Sequence, residues 1–90
     1  MKLIPFTLSN QLATPQSGGS IESNCNGITF INLGTDPVTV MGYPLIQNAS
    51  FTPACNIGEV DETNYLAQWS GTTADQRLLV IRKNYSGNAF

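Results

Sequence analysis

The chain contains no histidine and only two cysteines. Without histidine there is no Ser-His-Asp or Cys-His pair to activate a nucleophile, and no imidazole to hold a metal. Two cysteines alone cannot complete a four-ligand zinc site. Positive charge is equally scarce: Lys2, Arg77, Arg82 and Lys83 are the only cations, and the net charge is −2. Nucleic-acid affinity grows with the number of phosphates neutralised by Lys and Arg, so no nucleic-acid partner is expected. No apolar run approaches the roughly 20 residues of a membrane span, and no Gly-rich loop leads into a lysine to cradle phosphate. The opening stretch MKLIPFTLSNQLATP carries one Lys and a brief apolar segment broken by Pro5. It lacks the apolar centre of a signal peptide and reads as part of the mature protein. Six acids leave carboxylate-pair catalysis formally open, yet no spacing places two of them around a cleft. The expectation is a non-enzyme with no cofactor and no metal.

What replaces charge is neutral polarity. Only 11% of residues are charged, against about 25% in ordinary domains, and Asn, Thr, Ser, Gln and Gly fill the gap. Such a surface resists association poorly. Residues 1–90 form one domain, and a chain this short buries only about 60–65% of its unfolded surface. Disulfides, metals or association usually reinforce so thin a core.

The pattern along the chain is β throughout. In residues 2–8 (KLIPFTL), Ile4, Phe6 and Leu8 alternate with Leu3 and Thr7. Pro5 removes a backbone donor, which makes this run an edge strand or extended arm. Residues 9–20 (SNQLATPQSGGS) read as a loop, so 1–20 is expected to be an N-terminal arm and loop. ITFINL (28–33) is a strand apolar on both faces, and after Gly34-Thr35-Asp36-Pro37 the VTVM segment (38–41) returns as its hairpin partner. Gly42-Tyr43-Pro44 punctuates before Leu45-Ile46, and Asn48 marks a tight turn into Ser50-Phe51-Thr52, which Pro53 ends. Residues 55–62 read as a loop. Residues 64–70 (NYLAQWS) alternate as a strand that a polar turn joins to LLVIRK (78–83). A helix from Asp61 to Trp69, stopped by Gly71, is the alternative for that stretch. About six to seven short strands predict an all-β fold, a small antiparallel β-sandwich or barrel. ITFINL and LLVIRK are expected to be buried, with Ile28, Phe30, Val40, Phe51, Trp69, Val80 and Ile81 forming most of the core.

Few residues suggest a site. Cys25 and Cys55, each followed by Asn, are either one disulfide closing about 30 residues or two small, partly buried thiols. Glu59, Asp61 and Glu62 lack the alternating ligand spacing of a calcium loop and read as a solvated turn. Asn48-Ala-Ser and Asn84-Tyr-Ser match the glycosylation sequon, which nine Asn produce by chance. Tyr43, Tyr65, Trp69 and Tyr85 could line a sugar platform, the basis for the rival reading of a carbohydrate- or host-surface-binding module, although a Trp in an alternating strand is more often core. Leu3, Ile4, Pro5 and Phe6 are the candidate interface. Their edge segment could add to a neighbouring sheet or close the protein's own.

The segments ITFINLGTDPVTVMGYPL, SFT, NIGEVDETNY and LLVIRKNY together resemble small structural virion proteins of tailed bacteriophages infecting Bacteroides-type bacteria, including the crAss-like group. The pattern is a strand ending in Asn-x-Gly-Thr, a Val-rich return, Gly-x-Pro-Leu, an acidic Gly-Glu loop and a Val-Ile-Arg-Lys strand. It spans about two thirds of the chain. Gln47-Asn48-Ala49 stands where such relatives more often have Pro-Gly, and the cysteine pair is not part of the pattern. The resemblance implies a non-enzymatic capsid decoration protein, or a head-fibre, vertex or tail component. It would be assembled in the host cytoplasm against other virion proteins and copies of itself.

Overall fold

The computed structural model describes residues 5–14, 19–70 and 75–85. Its eight strands are β1 (Phe6–Ala13), β2 (Ser20–Glu22), β3 (Gly27–Asn32), β4 (Val38–Val40), β5 (Tyr43–Leu45), β6 (Ser50–Phe51), β7 (Asn64–Trp69) and β8 (Leu78–Tyr85). They make two four-stranded antiparallel sheets, a first in the order β1-β8-β3-β6 and a second in the order β2-β7-β4-β5. The result is a small all-β sandwich.

The core lies between the sheets. Ile28, Phe30, Leu78 and Val80 point inward from the first, and Ile21, Val38, Val40, Leu45, Tyr65 and Ala67 from the second. The Phe30 ring is fully buried, tilted against Tyr65 at 5.0 Å between centroids and stacked on Phe51 at 6.2 Å. Of the expected core, Ile28, Phe30, Val40 and Val80 are buried, whereas Phe51 and Trp69 are half-buried and pack against its rim. Ile81 is not a core residue. It alternates with buried Val80 and so faces outward on the far side of the sheet.

Both expected hairpins are absent. β3 pairs with β6 and β8, while β4 lies in the other sheet between β5 and β7. Likewise β7 and β8 belong to different sheets. The segment after β3 crosses between layers instead of reversing, and Asn32 fixes that crossing. Fully buried, its side-chain amide donates to the carbonyls of Asp36 and Leu45, both at 2.9 Å, and its oxygen accepts from the Gly34 N–H at 3.0 Å. Gly34 passes so close to the 75–77 segment that a Cβ there would collide with the Asp75 carbonyl. Among the described residues the one tight hairpin is β4–β5, where Val40 pairs with Tyr43 around Met41 and Gly42, both at positive φ (49° and 84°). The punctuation read at Gly42 falls in this turn, although methionine is an unusual residue for its other central position.

Residues 64–69 form a strand, which disposes of the helical alternative. Residues 9–13, expected in a loop, instead continue β1. Ser9, Asn10 and Gln11 have little strand preference of their own. The full-length partner β8 supplies the ladder, from Phe6 opposite Tyr85 to Ala13 opposite Leu78, and pairing context outweighs propensity.

Candidate docking face

Register defines the outer surface of the first sheet. Residues directly opposite on antiparallel strands share a face. Because Ile28, Phe30 and Asn32 point into the core, Gly27, Thr29 and Ile31 point out. Pairing then assembles rows across the outer face: Leu12, Leu79 and Ile31; Asn10, Ile81 and Thr29; Leu8, Lys83 and Gly27; and Phe6 with Tyr85. The β1 members stand well out into solvent, Phe6 at 50%, Leu8 at 60% and Leu12 at 50% exposure. The face is therefore mainly apolar, interrupted by Asn10, Thr29 and Lys83, with its β1 side exposed and its β8 and β3 side half-buried, and no further strand layer covers it among the described residues.

Lys83 is the only charged side chain in these rows. Its ammonium lies 4.7 Å from the centre of the Phe6 ring and 5.2 Å from that of Tyr85, so two aromatic faces take up part of its charge. Beside it the chain from Thr52 to Cys55 rises along the sheet, tied by a 3.0 Å hydrogen bond between the Thr29 and Thr52 hydroxyls. Between this wall and the sheet is a cleft of about 330 Å³ lined by Leu8, Thr29, Pro53, Cys55, Ile81 and Tyr85 among others. The cleft is open and mostly apolar, and it continues the outer face of the first sheet.

Of the candidate interface residues, Pro5 is exposed immediately before β1 and Phe6 is the first residue of β1. Leu3 and Ile4 lie outside the described residues. β1 closes the protein's own sheet on its β8 side, yet its outward residues are the most exposed part of the apolar face. Leu8, Leu12, Ile31, Leu79 and Ile81 were not singled out as a surface. Their signal was present: ITFINL and LLVIRK are apolar on both faces, which suggested strands buried on both sides.

Cys25 and Cys55 are free thiols. Cys25 is buried, with its Sγ 3.1 Å from the Gly27 carbonyl. Partial burial, with the carboxylates of Glu59 and Asp61 next in effect, pushes the Cys55 thiol up from its ordinary value, the opposite of what a nucleophilic cysteine needs. The acidic loop is anchored to the second sheet. Tyr65 donates its hydroxyl to Asp61 Oδ2 at 2.5 Å, and the Ser23 hydroxyl shares its one proton between the Asp61 and Thr63 carbonyls, 2.5 and 2.9 Å away. Burial, reinforced by that bond to Asp61, pushes Tyr65 up to about 12. Burial disfavours the Asp61 carboxylate, but hydrogen bonds from Tyr65, Thr63 and Ser23 outweigh it and hold the group below its usual range. Among the described residues no three acids or cysteines gather as a metal site.

The aromatic residues do not form one platform. Tyr65 is buried and Trp69 half-buried. Tyr43 leaves the second sheet to stack on Phe51 at 4.4 Å, and Tyr85 flanks Lys83. Comparison with protein families, with characterised proteins and with solved structures yields no match.

Proposed function

We propose that this domain is a non-enzymatic structural protein of a bacteriophage particle, such as a capsid decoration protein or a head-fibre, vertex or tail component. It docks on other virion proteins through the outer face of its first sheet. The observation that carries this reading is the uncovered apolar face on β1, β8 and β3. In a two-layer sandwich each sheet has one face against the core, and the other is ordinarily polar. Here the second face carries Leu8, Leu12, Ile31, Leu79, Ile81, Phe6 and Tyr85 with only Asn10, Thr29 and Lys83 as polar members, which favours a third layer supplied by another molecule. The low charge of the chain and its resemblance to small virion proteins support the same reading.

The test is to locate the protein in purified particles by immunogold labelling and to compare incorporation of Leu8→Asp and Leu12→Asp variants. Both positions are exposed, so the variants should fold and yet be lost from the particle. A protein absent from particles would refute the virion assignment, and normal incorporation of both variants would refute the face.

A further inference from the structure

The four sheet edges are unequal. β2 and β5 are three residues long and β6 only two, whereas β1 is eight residues long and among the described residues has a strand partner only on its β8 side. Half of the backbone N–H and C=O groups of an edge strand point away from its neighbour and offer a template for another strand. Natural edges are usually blunted by Lys, Pro, a bulge or brevity. From Phe6 to Ala13, β1 has no charged residue and no Pro, and its register with β8 runs without a bulge.

We infer that β1 pairs antiparallel with β1 of a second copy of this chain, about a two-fold axis at Ser9, joining the two first sheets into one eight-stranded sheet. The inference deepens the docking reading by naming one partner, and rests on it for the crowding that populates the pair. This register sets every outward side chain opposite an outward one and every inward one opposite an inward one. Phe6 faces Leu12 and Leu8 faces Asn10 on the outer side, Thr7 faces Gln11 on the inner side, and Ser9 faces itself. A one-residue slip would set outward side chains against inward ones. Pro5, just outside, would lie opposite Ala13 and end the ladder for want of an N–H. The contact closes on itself: each copy spends its one long edge, and a two-residue β6 cannot extend the sheet, so the product is a dimer and not a fibre.

Area sets its strength. Eight residues at about 3.3 Å rise give an edge about 26 Å long. With a sheet depth of about 10 Å this is roughly 260 Å² of flat contact, well under the ~800 Å² per partner of a stable complex. The dimer is therefore reversible, and it fills where copies are held close together, as on a particle.

Sedimentation of the full chain over a concentration series tests this, with Ser9→Lys and Ser9→Glu run singly and as an equal mixture. Ser9 is exposed, and circular dichroism checks that each variant folds. The wild type should move towards twice the monomer mass. Each charged variant should stay monomeric because like charges meet at the axis, and the mixture should recover the dimer. Amide exchange adds a readout free of substitution: the alternate amides of β1 that point away from β8 should gain protection as concentration rises. A wild type that stays monomeric up to about 1 mM overturns the inference, as do single variants that dimerise like the wild type. Dimer failure with particle incorporation intact refutes this pairing alone, whereas a dimer of a protein absent from particles refutes the virion assignment alone.

Discussion

The outer faces of the two sheets differ in kind. Over the second sheet, Ser20 pairs with Leu66, Glu22 with Asn64, and Thr39 with Gln68 and Pro44, so the outward rows are mostly polar, with Leu66 and Pro44 as their apolar members. Over the first, the corresponding rows are Leu12, Leu79 and Ile31, then Asn10, Ile81 and Thr29, then Leu8 beside Lys83, ending on the aromatic clasp of Phe6 and Tyr85 around that lysine. Both sheets bury an apolar inner face, so the contrast owes nothing to the core. A sheet alternating apolar and polar is finished by one layer of packing, whereas a sheet with apolar residues on both sides keeps apolar surface in contact with water. The second sheet behaves as the first kind and the first sheet as the second.

Substitutions at adjacent positions on opposite faces put this contrast to the test. The largest effect should come from Phe30→Ala, which removes the most buried ring between the sheets and should cost about 3–5 kcal/mol. Its neighbour Ile31→Ala, on the outer face, should cost far less in a denaturant titration of the isolated domain. Equal losses would mean that the outer face is already covered within the chain.

Next comes the crossing between layers. Asn32→Ala strips partners from the Asp36 and Leu45 carbonyls and the Gly34 N–H, and should cost about 2–3 kcal/mol. The loss should appear as a lower denaturant midpoint. If stability is unchanged, the amide does not hold the sheets in register.

A smaller effect is expected from pH, and it belongs to the second sheet. Tyr65 ionises near 12 when folded against 10 for the free group. Its contribution is therefore complete below about pH 10 and is lost as pH rises from there towards 12. Asp61 is held below its ordinary 3.8, so its contribution is present above that value and fades as pH falls below it. Tyr65→Phe should remove the alkaline component of the melting-temperature profile and leave the first sheet's docking untouched.

The smallest stability change should accompany the clearest change in association. Leu12→Asn on the first sheet and Leu66→Asn on the second should each shift stability by no more than about 0.5 kcal/mol. Only the Leu12 variant should lose binding to the particle. If Leu66→Asn is the one that abolishes binding, the roles of the two sheets are reversed.

Much of the architecture was legible in the chain because strand periodicity and turn chemistry are local. ITFINL, VTV, NYLAQW and LLVIRK all form strands, and Asn48, placed as a turn residue, sits at φ 68°. Ser9, Asn10 and Gln11 were illegible because their strand exists only against β8. The partners of β3 and β7 were illegible for a related reason. A short polar connector looks the same whether it reverses within one sheet or carries the chain across to the other, and Asn32 tips it towards crossing by satisfying carbonyls that a hairpin would not expose. The docking face was half legible. Apolar residues on both sides of two strands were evident, but a buried strand and a strand awaiting a partner share that pattern.

By itself the sequence determined the β class, the short strands, the lack of histidine chemistry and the scarcity of charge, all of which follow from which residues are present and how they alternate. The tertiary structure alone decided which strands are neighbours, which of two apolar faces becomes core, and that Ile81 looks outward while Val80 looks in. Those outcomes depend on long-range pairing, where the gain comes from burying one face against a second sheet, and no local stretch of chain encodes which face that sheet will meet.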